Sequence, residues 1–374
     1  LPLRQRRYKR FFGGGSAVMK TAQILLVLSA AAGATGAMMK GISVKEFGAP
    51  EVMQMADIAR PEPKDGEVLI KVFAAGINPV ETYKRAGTYA KHLLPALPFT
   101  PGADGAGIVE ALGVGVSTVA VGDRVWLSGS ISGTYAEYCV SKISDVHPLP
   151  PAIGFKEGAG IGTAYRTAYR ALFTRVQGLA KKGQTVLVHG ASGGVGLAAI
   201  QLAKAHGCEV IGTAGTEEGL ALVRSQGAHA VSHKSEGYMA EIKKLSPNGD
   251  GVDIVLEMAA HVNLGADLPL LRRGGTVVVI GNKGMTETNI NARAIMLTES
   301  QIVGLLGPGS PEEGKQVLSG INAGLQDGSL KPMAGPTFKM ADAAASHVEV
   351  IEHKLGTKGK IILVVRNDDG KTEL

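Results

Sequence analysis

Residues 185–207, TVLVHGASGGVGLAAIQLAKAHG, decide how the rest of the chain is read. The stretch opens with four apolar or β-branched residues, 185–188, the pattern of a strand buried on both faces. A turn dense in glycine follows: Gly190, Ala191, Ser192, Gly193, Gly194, Val195 and Gly196. Apolar side chains then recur at helical spacing over 197–205, and Gly207 reads as the stop. A strand that hands a glycine turn to a helix makes an anion site. Glycine lets the backbone close on a diphosphate, and the helix N-terminus offers N–H groups with no partner of their own. A second apolar run, 209–214, follows at once, so the unit points to a dinucleotide rather than to a bare tight turn.

Toward the C-terminus the same alternation continues, with strands expected at 209–213, 230–232, 253–257, 276–280 and 302–305. Strands alternating with helices predict a Rossmann-type, doubly wound parallel sheet in an α/β protein, with ligand at the carboxyl ends of the strands. Toward the N-terminus the pattern changes. Residues 40–150 are short alternating runs broken by Pro61, Pro63, Gly66, Pro101, Gly102 and Gly122, which reads as a β-rich domain. Within it, 66–73 reads as a strand that runs into a polar loop, 74–83, carrying Asn78 and Tyr83.

A chain of 374 residues is long enough for two domains with separate cores. Hydrophobic residues make up 45% and charged residues 19%, the balance of an ordinary α/β enzyme. The formal charge of +6 is misleading as a sign of nucleic-acid binding. Arg4, Arg6, Arg7, Lys9, Arg10, Lys20 and Lys40 fall in the first forty residues, where there is no acid, so the remainder carries one net negative charge. A near-neutral body offers no broad phosphate-binding face. Cys139 and Cys208 are the only cysteines, which excludes a disulfide framework and a cysteine-built zinc site.

The two ends carry address-like patterns. From Met19 the sequence runs Met-Lys, an apolar stretch over 22–32 and small residues over 34–37, the layout of a secretory signal and too short for a membrane span. An arginine-rich stretch without acids also fits an organelle transit peptide. The last residues, Lys371, Thr372, Glu373 and Leu374, differ from the KDEL retrieval signal at one position. The pairing points to the endoplasmic-reticulum lumen.

Five stretches in order carry a family likeness: AGINPVETY at 75–83, ISGTYAEY at 131–138, TAYRA at 167–171, LVHGASGGVGL at 187–197 and GTAGTEEG at 212–219. In these the chain resembles the medium-chain dehydrogenase/reductase superfamily, and within it the zeta-crystallin-like NADPH:quinone oxidoreductases. The resemblance runs from about residue 40 to residue 365. It implies a β-rich GroES-like catalytic domain beside the Rossmann domain, NADPH as cofactor, a quinone as acceptor, a homo-oligomer and a cytoplasmic location. Other members imply two alternatives, a 2-alkenal or enone reductase and a lens-type structural or AU-rich RNA-binding protein. The zinc members hold their metal with a Cys in the first motif and a Gly-His-Glu in the second. Ala75-Gly76 and Gly102-Ala103-Asp104 stand there instead, so no metal is expected.

The resemblance divides the chain into a leader at 1–39, a catalytic domain at 40–158, an NADP-binding domain at 159–306, a return segment at 307–366 and a tail at 367–374. It also assigns residues. Ser192, Gly193, Gly194 and Val195 take the pyrophosphate. Gly215 lies near the adenosine 2′-phosphate with His233, and Asn263 is a further cofactor contact. Ile280, Gly281, Asn282 and Lys283 line the nicotinamide half, with Lys283 a point charge where the family usually has a planar arginine. Leu305, Leu306 and Gly307 form the last contact segment. Tyr83 and Asn78 stand nearest the acceptor, with Tyr83 touching the cofactor. The residues themselves agree with NADP: the second strand ends Thr213-Ala214-Gly215-Thr216, without the carboxylate that would hold ribose hydroxyls and repel a 2′-phosphate.

Overall fold

The structure, a computed structural model, describes residues 37–175, 180–285, 287–356, 358–367 and 370–373. The antiparallel part begins with β1 (Met38–Val44) and β2 (Met53–Ala59), which pair as a ribbon. Next come β3 (Glu67–Gly76), helix α1 (Pro79–Ala86), β4 (Asp104–Leu112), β5 (Arg124–Leu127), β6 (Tyr138–Lys142) and β7 (Val146–Pro148). Helices α2 (Phe155–Ala159) and α3 (Gly162–Tyr169) lead out of it.

The parallel part starts at β8 (Thr185–Val188), α4 (Gly194–Ala205), β9 (Glu209–Ala214) and α5 (Glu217–Ser225). It continues through β10 (His229–Ser232), α6 (Tyr238–Leu245), β11 (Val252–Glu257) and α7 (Ala260–Asp267). It closes with β12 (Leu271–Val279), α8 (Ala292–Thr298) and β13 (Gln301–Gly304). After it come α9 (Pro311–Asp327), β14 (Ala334–Lys339), α10 (Ala343–Glu352) and β15 (Lys360–Val364).

The parallel sheet has the order β10-β9-β8-β11-β12-β13, so the winding reverses between β8 and β11. That reversal opens a crevice at the carboxyl ends of the two strands, the usual ligand position in such sheets. β8 is buried along its whole length, as its apolar run requires. Helix α4 is pressed onto the sheet through Leu197, Ile200 and Leu202, each at most 3% exposed. Burial of side chains of this size stabilises by roughly 1.5–3 kcal/mol apiece.

The second sheet has the order β14-β15-β3-β4-β5-β7, with β6 also paired to β3. β15 lies parallel to β14 and antiparallel to β3. The last strand is therefore an inner strand of the N-terminal sheet. Helix α9 does not go with it. Its buried Val317, Ile321 and Leu325, spaced four apart on one face, join the same apolar core as α4. The return to the antiparallel sheet thus begins at β14 rather than directly after β13.

Three local expectations change. The strand expected at 66–73 runs on to Gly76, and the polar loop becomes helix α1 from Pro79. Proline suits that first position, since its missing N–H has no partner there anyway. Helix α4 starts at Gly194, three residues before its apolar spacing begins. The leader lies outside the described residues except for Ala37 and for Met38 and Met39, which open β1. At the other end Thr372 Oγ1 donates to Glu137 Oε1 at 2.6 Å and Glu373 N–H donates to the Val365 carbonyl at 2.8 Å. Leu374 lies outside the described residues.

Candidate active site

The glycine turn is held from below. Ala191 N–H donates to the Thr213 carbonyl at 2.8 Å, and Gly193 N–H reaches the Gly190 carbonyl at 3.1 Å. The turn folds so closely over the helix start that a Cβ on Gly196 would lie 2.5 Å from the Gly190 carbonyl oxygen. Gly193 caps α4 without a side chain, and the first turn contains no acid. Helices α5 and α9, in contrast, are capped by Thr216 and Ser310 side chains. Ser192, Gly193, Gly194 and Val195 thus lie at a helix start whose first N–H groups have no side-chain cap, an arrangement that can accept an anion.

At the end of β9, a Cβ on Gly215 would meet His233 Nε2 at 2.7 Å and Lys234 Cε at 3.3 Å. Both residues are exposed. The structure thus brings His233 to Gly215 as expected and adds a cation, Lys234, that sequence reasoning missed. Lys358 comes near the same turn, its Cε and Thr216 Cγ2 both within 3.8 Å of a Cβ built on Gly356.

On the other side of the crevice, Ile280, Gly281 and Asn282 line an open pocket of about 460 Å³ with Leu305 and Leu306. Arg170 supports its rim through the Leu306 and Gly307 carbonyls and pairs with Glu313 at 2.9 Å. Lys283 is exposed in a left-handed turn (φ 51°). The Asn282 side chain closes that turn, donating to the Met285 carbonyl and accepting from Gly284 N–H at 3.1 Å. Tyr83 is half-buried on α1, with Cε1 3.7 Å from a Cβ built on Gly284, so the helix carries its ring to this segment. Burial raises its hydroxyl pKa. Asn263 lies inside α7, where its amide donates to Glu257 Oε1 at 3.4 Å; it caps no helix.

Asn78 is the centre of a buried polar cluster. It caps α1, and its N–H donates to Glu81 Oε2 at 2.8 Å, half of a capping box. Its side-chain amide donates to Asp104 Oδ2 at 3.0 Å, and its oxygen accepts from Lys360 Nζ. Asp104, fully buried, also accepts from Thr163 N–H at 2.9 Å and Thr163 Oγ1 at 2.7 Å. Lys360 Nζ lies 3.9 Å from Asp104 Oδ2, an ion pair with both partners buried. Glu81 Oε2 takes the Tyr135 hydroxyl at 2.8 Å, and Tyr135 meets His347 Nε2 at 3.2 Å. Desolvation raises the Glu81 pKa, with Asp104 adding to it, and lowers that of Lys360. Burial brings His347 down to about 3.

Lys360 ties this cluster to the glycine turn. Its Cδ is 3.0 Å from a Cβ built on Gly194, and Gly359 N–H donates to the Ser192 carbonyl at 2.8 Å. Asn78, Tyr83 and the diphosphate cradle thus share one crevice between the two sheets. Lys360, Glu81 and Thr163 were not singled out from the sequence, and Asp104 was noted there only as standing where zinc members carry Glu. Lys360 alone left a signal, a lysine opening the apolar run 360–365.

A Rossmann sheet whose glycine turn opens onto a β-rich domain defines the two-domain class of nicotinamide dehydrogenases and reductases. Comparison with known proteins agrees. The family description "Alcohol dehydrogenase GroES-like domain" matches residues 64–151, and "Zinc-binding dehydrogenase" matches residues 194–323. The quinone oxidoreductase of Homo sapiens is 48% identical over 88% of this chain and 98% of its own length; that of Rattus norvegicus is 47% identical over the same shares. The Escherichia coli quinone oxidoreductase solved with NADPH has a TM-score of 0.77 at 27% identity, covering 87% of this chain and 99% of that one. A mycobacterial protein solved with NADPH has the same TM-score at 28% identity and the same coverage. The chain belongs to the quinone oxidoreductase family of the medium-chain dehydrogenase/reductases. The donors around Asn78 do not fit the zinc of the second description: they are an amide, carboxylates, a hydroxyl and the Lys360 ammonium, without thiolate or imidazole on Asp104.

Proposed function

We propose that the chain reduces quinones with NADPH and uses no metal to do so. One observation carries this reading: Asn78 and Lys360 are held against the diphosphate cradle while the Tyr83 ring reaches the 280–284 segment. The bound nicotinamide supplies the reducing electrons. The chain's own residues orient it and keep water out. Ser192, Gly193, Gly194 and Val195 take the pyrophosphate on the α4 N-terminus, with Lys360 below. Gly215 leaves room for the 2′-phosphate beside His233 and Lys234, and Lys234 supplies the charge. Ile280, Gly281, Asn282, Lys283, Leu305, Leu306, Gly307 and Asn263 line the far half. The Tyr83 ring packs on the nicotinamide side. Asn78, buried with its amide engaged by Asp104 and Lys360, holds the start of α1 near the place where a quinone carbonyl arrives.

The decisive assay follows NADPH oxidation with ortho- and para-quinones after chelator treatment, beside 2-alkenals at equal concentration. Retained quinone turnover is expected; full loss on chelation defeats the metal-free reading, and preferential alkenal turnover assigns the enone reductase instead. Gly215→Asp places a carboxylate beside His233 and Lys234 and should erase the preference for NADPH over NADH. A mutant that keeps the preference puts phosphate recognition elsewhere.

Two further readings belong here. β13 is an edge strand of the parallel sheet, and Ile302, Leu306, Met296 and Leu297 are exposed on or near it. Pairing of two copies along this edge would cover them, and light scattering on the purified chain decides between one copy and two. Among the described residues no helix is long and apolar enough to cross a membrane. A cytoplasmic location accords with the family. A reporter fused to residues 19–39, with and without the last four residues, separates it from the endoplasmic-reticulum lumen.

A further inference from the structure

A second buried polar group lies beneath the glycine turn, at the reversal of strand order. His189 follows β8, Glu257 ends β11 and Asp267 ends α7; their exposures are 3%, 0% and 0%. His189 Nε2 lies 2.8 Å from Asp267 Oδ1 and 3.7 Å from Glu257 Oε2. Glu257 Oε1 is occupied by the Ala259 N–H and the Asn263 amide. Glu257 Oε2 and Asp267 Oδ2 have no hydrogen-bond partner among the described residues and no solvent.

Two carboxylates this deep, with no ammonium or guanidinium paired to them among the described residues, cannot both stay ionised. One carboxylate oxygen of each acid lies within 4.8 Å of the other and of a His189 nitrogen, so a proton on one of them turns the repulsion into attraction between the two carboxyls. The direction of the other bonds then follows. His189 Nε2–H donates to Asp267, and Nδ1 accepts from the Thr213 hydroxyl at 3.2 Å. The Thr213 oxygen in turn accepts from Gly190 N–H at 3.3 Å. An unbroken run of donors links the first glycine of the turn to the acid pair.

We propose that Glu257 and Asp267 share one buried proton and, through His189 and Thr213, position the Gly190 turn for the dinucleotide. All four are positioning residues, and the proposal rests on the NADPH reading above. Burial holds both carboxyls up at about 7, and it keeps the His189 ring neutral by lowering its pKa. The other titratable groups facing the cluster are His233, beyond β10, and Tyr238 of α6. Although His233 is exposed as a residue, partial desolvation of its ring lowers its pKa, with His189 adding to it. That of Tyr238 is raised by burial, with Asp267 and Glu257 adding to it. A carboxyl pKa raised in the fold gives stability that is complete below the ordinary value, 4.5 for Glu, and lost as the pH rises through about 7.

The test uses the full chain and measures two things from about pH 6 to about pH 9: NADPH affinity, and stability of the chain without cofactor. In the wild type, affinity should fall about tenfold across this range, roughly one pKa unit of coupling. Glu257→Gln, which mimics the protonated acid, should keep its low-pH affinity throughout. Thr213→Val should keep the stability profile of the wild type and lose the pH dependence of binding. The 2′-phosphate titrates alike in all three proteins and drops out of the comparison. Parallel profiles for wild type and Glu257→Gln overturn the proposal, as does one tightly held metal ion per chain, whose charge would replace the proton. Failure to bind NADPH at any pH defeats the cofactor reading instead, and the stability profiles then decide the shared proton alone.

Discussion

Two buried polar clusters flank the same crevice and balance their charge by different means. Around Asn78 the acids have a built-in cation: Lys360 faces Asp104 across 3.9 Å, and Asp104 accepts from Thr163 and from the Asn78 amide. Around His189 no ammonium or guanidinium pairs with the acids among the described residues, and one oxygen on each acid lacks a partner there. The Lys360–Asp104 balance holds wherever that lysine is charged, whereas the second depends on a proton that solution conditions can remove. Rigid placement of side chains belongs to the first, and sensitivity to pH to the second.

The largest expected effect breaks the first balance. Lys360→Met leaves Asp104 buried without its cation and should lower stability by about 3–5 kcal/mol in urea unfolding. Adding Asp104→Asn should recover part of that loss; no recovery would show that the Lys360 stem, rather than its charge, matters. Next comes the second balance. Glu257→Gln should remove about 2–3 kcal/mol of the decline in stability between about pH 4.5 and about pH 8, since the shared proton is no longer needed. Equal slopes in wild type and mutant would make the two clusters alike.

Cofactor discrimination comes third. Lys234→Ala should weaken NADPH binding about tenfold and leave NADH binding nearly unchanged, as one exposed charge–phosphate contact allows. Equal losses for both cofactors would reassign Lys234 to structure. Smaller still, Tyr83→Phe should be nearly silent while Tyr83→Ala weakens NADPH binding, because the ring and not the hydroxyl makes the contact. Lowered turnover in Tyr83→Phe with unchanged affinity would instead make the hydroxyl a donor to the acceptor. At the bottom, Lys40→Ala removes an exposed pair with Asp57 (42% and 60% exposed) and should cost under about 1 kcal/mol. It calibrates how far the buried pairs depart from a surface one.

What the sequence revealed, it revealed where chemistry is local. The run 185–196 announces strand, turn and phosphate cradle in one reading, because each needs its residues consecutive. The strand set of the parallel sheet was legible for the same reason, with boundaries a few residues off. Helix α1 was misread as loop because its short, polar sequence gives little apolar period; the proline at its first position and the Asn78–Glu81 capping pair were the missed cues. The partners of Asn78 were illegible, since Asp104, Thr163 and Lys360 meet it only after the chain has folded. His189 and Glu257 did leave a trace: each puts an ionisable residue directly after a strand's apolar run, a costly choice unless something meets it there.

The seat of β15 between β14 and β3 sets the order in which a nascent chain can finish folding. Domains commonly fold as they leave the ribosome, N-terminal first. Here the N-terminal sheet stays incomplete, because the 74–76 end of β3 lacks its β15 partner until that strand has been synthesised. The parallel sheet, contiguous in the chain, can form while the 74–76 end of β3 still lacks a neighbour on the β15 side. Lys360 opens β15, so Asp104 stays without its cation through the same interval. Truncation shortly before residue 360 should therefore leave a folded nucleotide domain joined to an open, aggregation-prone sheet, the species a chaperone would bind first.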